Sequence, residues 1–252
     1  MLISTHTETA KQTEAIYIVD DQPYKGREYI GSAPKPGTPG YGQDVVGEEV
    51  PQAYLVFQPP HSVTRPHFHQ TNQFQIFVEG GGTVGKLRVD PLTVQYAGGN
   101  TPYGPIMAEA EGIRYFTLRQ TWDSGAKYLP ANRNLLVKGQ QRQVVGVQEN
   151  KMTAKTSNAN TETLIEATAD GLFAQNIVLT PKAKYSLPDT AEGGGQYHVV
   201  VSGSLARNGE NLPPLSVEFA SCDEGVVEIE AGPDGLELLL ARFPKGQAPG
   251  NN

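Results

Sequence analysis

A single cysteine, Cys222, leaves the chain unable to close an internal disulfide and fits a reducing compartment. Its thiol reads as a small buried apolar side chain, with no redox role. No apolar run approaches the ~18 residues that a membrane span requires. The opening Met1-Leu2-Ile3-Ser4-Thr5-His6 has neither the basic region nor the apolar region of a signal peptide, so a cytoplasmic location is expected. Cations are in deficit: 20 Lys and Arg against 27 Asp and Glu give a net charge of −7, and the basic residues are dispersed. Binding to nucleic acid needs clustered Lys and Arg to neutralise phosphates, so that class is excluded. Long amphipathic helix patterns are missing as well.

What is present is turn chemistry and short alternating runs. With 28 Gly and 19 Pro the chain carries many turns. Between them lie segments such as Glu14–Val19, Ala53–Phe57, Leu135–Val137 and Val226–Glu230, each short and bounded by turn residues as strands are. The fold class predicted is all-β.

The segment richest in chemistry is Pro66-His67-Phe68-His69, with Gln73 four residues on and Gly80 closing an apolar run. On a strand, residues two apart share a face, so His67 and His69 point the same way and Gln73 keeps their parity. Two neutral imidazoles and an amide oxygen are a donor set for one ion of zinc, copper, iron or nickel. His61, six residues before His67, also keeps parity and is a candidate third imidazole; equally, it reads as a loop residue near the mouth.

This segment resembles the first motif of the cupin superfamily, in which a Gly, an H-x-H pair, a Glu and a closing Gly follow at fixed spacing. His67, His69, Gln73 and Gly80 stand at the two His, the Glu and the last Gly, while His61 stands where the first Gly belongs. Pro102-Tyr103-Gly104 resembles the core of the second cupin motif; from it the usual His position falls on Met107 and the Asn position on Glu111. The resemblance implies double-stranded β-helix (jelly-roll) barrels. It also implies one divalent metal ion (Fe, Mn, Ni, Zn or Cu) at His67, His69 and Gln73, to which His61 adds a third imidazole if it turns inward; Met107, whose thioether is a poor ligand for hard divalent metals, reads as packing.

An internal repeat supports the fold independently. Asn72–Gly80 aligns with Gly195–Gly203 at an offset of 203 − 80 = 123, and Gly112–Arg119 aligns with Gly235–Arg242 at the same offset. Pro59 and Pro66 meet Pro181 and Pro188 at 122. The expectation is two tandem cupin-type barrels, a bicupin. The second copy has no H-x-H, and His198 reads as a hydrogen-bonded core residue. That barrel is expected to be structural or to form a homodimer.

The expected organisation is an N-terminal arm over 1–50 with one strand and a Gly/Pro-rich stretch at 31–40 that crosses to a partner or lids the barrel. A first barrel follows over 51–152, a polar linker over 153–163, a second barrel over 164–245 and a tail over 246–252. The partner expected is a small-molecule ligand, with no nucleic acid and no membrane. The resemblance implies a metal-dependent enzyme of dioxygenase, isomerase or lyase type, with Tyr103, Glu109 and Tyr115 as proton-transfer candidates. The other class is a non-catalytic binding or sensor protein whose metal site has decayed, which the Gln73 and Met107 departures favour.

Overall fold

The computed structural model describes residues 1–44, 50–137, 139, 141–148, 152 and 158–246. The chain divides into two compact units, one built on Gln12–Val145 and the other on Met1–Lys11 with Gly146–Gly246. Apart from the five-residue helix Thr7–Lys11 and two 3-10 turns, the regular structure of the described residues is antiparallel strand.

In the first unit the sheet runs in the order Gln143–Val147, Thr93–Ala97, Gln73–Val84, Ile106–Arg119, Gln52–Gln58, Gln22–Ile30 and Ala15–Val19. A two-stranded ribbon, His67–Phe68 with Lys127–Tyr128, stands apart from it. The central strands are buried on both faces. One side of Ile106–Arg119 packs Phe116 and Leu118 at 0% exposure, and the other carries Tyr115, Thr117 and Arg119 at 5%, 3% and 1%. Such strands read as continuous apolar runs, with polar residues set into one face only.

The second unit repeats this plan with Ala159–Ile165, Phe173–Leu179, Glu228–Arg242, Gln196–Arg207 and Val217–Ala220 in order. The repeat is physical as well as textual. Gly80 sits opposite Ile113 beside Gly112, at φ +74° and +73°, and a Cβ on Gly80 would come within 2.0 Å of the Gly112 carbonyl oxygen. Gly203 and Gly235 make the same approach, φ +68° and +87°, with 2.2 Å to the carbonyl. Only glycine fits this left-handed crossing of two backbones, so the repeat marks one structural device used twice.

The interiors differ. In the second unit Leu236, Leu238 and Leu240 belong with Ile177, Leu179 and Val200 to an aliphatic core, beside which His198, directly across from Leu240, is buried and bonded to Glu218. The equivalents of these leucines at the 123 offset are Ile113, Tyr115 and Thr117, and around the last two the first unit holds polar side chains.

Several expectations are corrected. Residues 1–50 are not an arm with one strand. Leu2–Thr5 pairs with Val217–Ala220 in the second unit, and Ala15–Val19 with Gln22–Ile30 forms a hairpin that extends the first unit's sheet. The hairpin turn is Asp20-Asp21, both left-handed at φ 47° and 63°, the geometry that matches strand twist. Ala159–Ile165, within the expected linker, is a strand; residues 153–157 of that linker and 247–252 of the tail lie outside the described residues. The expected strand at Leu135–Val137 is instead the end of a 3-10 turn, Arg133–Leu135. Cys222 is exposed, not buried.

Candidate functional site

Three adjacent strands of the first unit deliver the polar set. Arg119, last residue of its strand, pairs with Gln52; on its other side Leu118 pairs with Phe74, so the next step sets Gln73 beside Arg119. The ribbon brings His67, which also bridges to Tyr103, and His69 follows it. All of Gln52, His67, His69, Gln73, Tyr103, Arg119 and Asp123 are buried.

Their hydrogen bonds fix each tautomer. His67 Nδ1 is 2.7 Å from the Arg65 carbonyl oxygen, which only accepts, so Nδ1 carries the proton and Nε2 is left as acceptor for the Tyr103 hydroxyl at 2.9 Å. The Gln73 side-chain N–H donates in turn to Tyr103 Oη. His69 Nδ1–H donates to Asp123 Oδ1 at 2.6 Å, and Arg119 Nη2 lies against the ring at 3.0 Å from Nδ1 and 3.3 Å from Nε2. Arg119 further donates from Nε and Nη2 to Gln73 Oε1 at 3.2 and 3.0 Å, and from Nη1 to Gln52 Oε1 at 2.5 Å. Asp123 also accepts from the backbone N–H groups of Gln70 and Gly125 at 3.0 and 2.8 Å.

Burial sets the charge states. Desolvation lowers His67 to about 4, and it lowers His69 to about 3 with the Arg119 charge adding to the effect, so both are neutral at pH 7. Burial opposes ionisation of Asp123, but His69, Arg119 and Lys127 outweigh it and hold the carboxyl well below its usual range. Arg119 keeps its charge against burial because Tyr54 and Asp123 offset the desolvation. Burial also lifts Tyr103 well above a phenol's ordinary value, so it remains a proton donor. Lys127, fully buried, sends Nζ to Ser124 Oγ at 2.8 Å. Burial lowers the Lys127 ammonium from its usual range, and Asp123 counters that shift.

This network borders a cavity of about 90 Å3. Seven tyrosines line it (Tyr17, Tyr24, Tyr41, Tyr54, Tyr103, Tyr115 and Tyr128), together with His67, His69, Gln75, Thr117, Arg119 and Asp123. Ala33, Pro34, Lys35 and Pro36 of the Gly/Pro-rich stretch also line it. Gln75 Oε1 is buried in this wall without a protein donor.

Of the residues singled out from sequence, His67, His69, Gln73 and Tyr103 converge, and Tyr115 lines the same cavity. His61 does not join them: it is exposed, at φ +58° in a turn, beside Gly80, Arg88 and Glu109 on the outside. Strand parity does not carry through that turn. Glu109 is exposed and paired with Arg88, and so is not a proton-transfer group of this cavity. Met107 is 40% exposed and does not pack inside. Gln52, Arg119 and Asp123 were missed, although Arg119 ends an apolar strand run and recurs as Arg242 in the repeat, which was the available signal.

The donor set does not fit a metal in this arrangement. The His67 and His69 rings are 5.4 Å apart, close enough to share an ion. Yet Gln73 Oε1 and His69 Nε2 face the Arg119 cation, and His67 Nε2 takes the Tyr103 hydrogen. An ion at ~2.1 Å from either of the first two atoms would lie within about 5 Å of Nη2. Unit charges 4 Å apart repel by about 4 kcal/mol at an effective dielectric near 20, and a divalent ion doubles this. The nearby carboxylate, Asp123, is already bonded to His69 Nδ1 and lies 4.0 Å from Arg119 Nη1. Among the described residues no group of three or more His, Cys, Asp and Glu side chains is arranged to hold a metal.

No family model matches the sequence, and a search of curated proteins found no match. Solved structures do match. A proposed dioxygenase from Nostoc punctiforme PCC 73102 is 10% identical with a TM-score of 0.64, over 98% of this chain and 85% of that one. The W96Y form of Bacillus subtilis oxalate decarboxylase is 11% identical with a TM-score of 0.60, over 98% and 78%. The bacterial pirin YhhW from Escherichia coli, in complex with nickel(II), is 11% identical with a TM-score of 0.56, over 97% and 100%. At such identities the likeness establishes the fold, which is two cupin-type jelly-roll barrels in tandem.

Proposed function

We propose that the protein is a bicupin whose first barrel is a small-molecule enzyme site, and that its ligand is a small acid of mainly apolar or aromatic body. The observation that carries this reading is the difference between the two interiors. One repeat fills its barrel with leucine around a buried His198–Glu218 pair, while the other surrounds a cavity with tyrosines, two neutral histidines and one positive charge in excess, Arg27, Lys35 and Arg119 against Glu28 and Asp123. Keeping such groups buried is costly unless they are used. The excess charge suits a carboxylate or enolate, the tyrosine walls suit a flat ring, and Gln75 Oε1 offers an acceptor to a ligand hydroxyl.

The chemistry proposed is proton transfer. Tyr103 Oη, steadied by Gln73 N–H, accepts a substrate proton as it passes its own to His67 Nε2. An anionic ligand beside His67 raises its pKa from the low value that burial imposes, bringing it toward a working range. The test is a thermal-shift titration with benzoate and 4-hydroxybenzoate on the parent and on Thr117→Leu, which gives the first barrel the leucine of the second. Stabilisation of the parent and its loss in folded Thr117→Leu supports the reading; equal stabilisation of both removes the cavity from it.

A second reading, a metal-dependent and dioxygenase-like enzyme, is favoured by one observation: the paired His67 and His69 within sharing distance. Structural neighbours described with Mn(II) centres and with nickel(II) are consistent with it. Metal content of the purified protein separates the two.

A further inference from the structure

We infer that the guanidinium of Arg119 stands in the metal's place within the His67, His69 and Gln73 donor set, so that the first barrel works without a metal ion. The inference rests on the reading of the first barrel as the functional unit.

Arg119 spends the donors that a metal would need. Its Nε and Nη2 both reach Gln73 Oε1, which turns the other end of that amide, the N–H, toward Tyr103. The one oxygen donor of the set is therefore committed. His69 is held by Asp123 at Nδ1, and Arg119 Nη2 lies against the ring, 3.0 Å from Nδ1 and 3.3 Å from Nε2. His67 Nε2 is closed by the Tyr103 hydroxyl.

The guanidinium is also held there. It is 1% exposed, bonded to Gln52 Oε1, stacked 5.4 Å from the Tyr54 ring centroid and 4.0 Å from Asp123 Oδ1. A guanidinium does not lose its proton in proteins, so the site carries a permanent positive charge at every working pH. A metal supplies two things to such a site, a fixed positive charge and a fixed orientation of its ligands; Arg119 supplies both.

The second barrel shows that this use is specific. Arg242, at the same repeat position, donates to the carbonyl oxygens of Gly171 and Asp189 at 3.0 and 3.1 Å and pairs with Glu192. There the arginine ties down loops around an aliphatic core, without an imidazole among those partners. In the first barrel the same residue is turned into a pair of imidazoles and an amide.

The test compares the parent, Arg119→Lys and Arg119→Gln, each checked for fold by circular dichroism and titrated with Mn2+ and with Ni2+ by calorimetry, with metal content measured after purification. The parent and the lysine variant are expected to hold no stoichiometric metal. Arg119→Gln is expected to bind at least about tenfold more tightly, a gain of about 1.4 kcal/mol, and to lose that gain when His67→Ala is added. Should Arg119→Gln not fold, the double variant Arg119→Met/Asp123→Asn removes one buried charge of each sign and carries the same comparison. One Mn2+ or Ni2+ per chain in the parent, or a folded charge-removed variant with no gain, overturns the inference. Benzoate binding and its loss in Thr117→Leu are read separately, so a failure of the metal-free account leaves the first-barrel reading standing, and the reverse holds.

Discussion

Thr117 and Leu240 hold the same position in the two repeats, 240 − 117 = 123, the first directly across from Gln75 and the second directly across from His198. One hydroxyl-for-isobutyl difference thus separates a cavity wall from a packed core. Exchanging the two has unequal consequences. Leu240→Thr removes apolar volume and buries a hydroxyl, and is expected to cost about 2 to 4 kcal/mol. Thr117→Leu enters existing space and is expected to change stability by less than about 1.5 kcal/mol. Urea denaturation of both variants measures the asymmetry; equal losses would show that the first interior is as tightly packed as the second.

The glycine crossings predict a paired effect. Gly80→Ala and Gly203→Ala each place a Cβ about 2 Å from a carbonyl oxygen, at 2.0 and 2.2 Å, in left-handed backbone. Each is expected to destabilise by about 3 kcal/mol or more. Gly37→Ala, at φ +82° with nothing within 4 Å, is expected to cost only about 1 kcal/mol. Chemical denaturation that ranks Gly37→Ala with the other two would refute the close-approach account.

Acid should unfold the protein in a window set by its two site histidines. Their folded values, about 4 and 3, lie below the ~6.5 of an unfolded histidine. Between those limits the unfolded chain binds more protons, so stability is full above about pH 6.5 and falls as pH drops, by about 1.4 kcal/mol per unit for each histidine. The fall ends for each as pH passes its folded value. Denaturation midpoints between pH 7 and pH 4 should therefore drop more steeply in the parent than in His67→Gln/His69→Gln, and parallel curves would rule this out.

Among the described residues Asp123 is the only carboxylate hydrogen-bonded to His69, and it neighbours the buried cations Arg119 and Lys127. Asp123→Asn leaves those cations without it and is expected to cost about 3 to 5 kcal/mol. Asp123→Asn/Lys127→Met, which removes one charge of each sign, should recover part of the loss. No recovery in thermal denaturation would mean that the pair is not coupled.

The fold was legible because it rests on patterns that survive in a line of letters: short alternating runs, the Gly80 and Gly203 crossings and a fixed 123-residue offset. Half of the site was legible because His67, His69 and Gln73 lie within seven residues, although strand parity does not join them: His67 is on the ribbon, bends follow at Gln70 and Thr71, and Gln73 opens the next strand. The rest depends on contacts between residues far apart in sequence. Arg119 reads locally as the polar end of an apolar strand, and only its pairing with Gln52, 67 residues away, brings it beside Gln73. His61 was misplaced because period-two reasoning needs extended backbone, and the left-handed turn at His61 interrupts it. Glu109 was misplaced because its partner, Arg88, holds it on the outer surface.

The most direct test of the account is the long-range proton–nitrogen spectrum of histidine-labelled protein at pH 7, recorded before and after one equivalent of Zn2+. The account predicts that His67 and His69 are both neutral, protonated at Nδ1 with no proton on Nε2, and that zinc leaves both unchanged because the Tyr103 hydroxyl closes His67 Nε2 and the Arg119 cation lies 3.3 Å from His69 Nε2. An imidazolium signal, the opposite tautomer, or a zinc-induced shift of either Nε2 would contradict it.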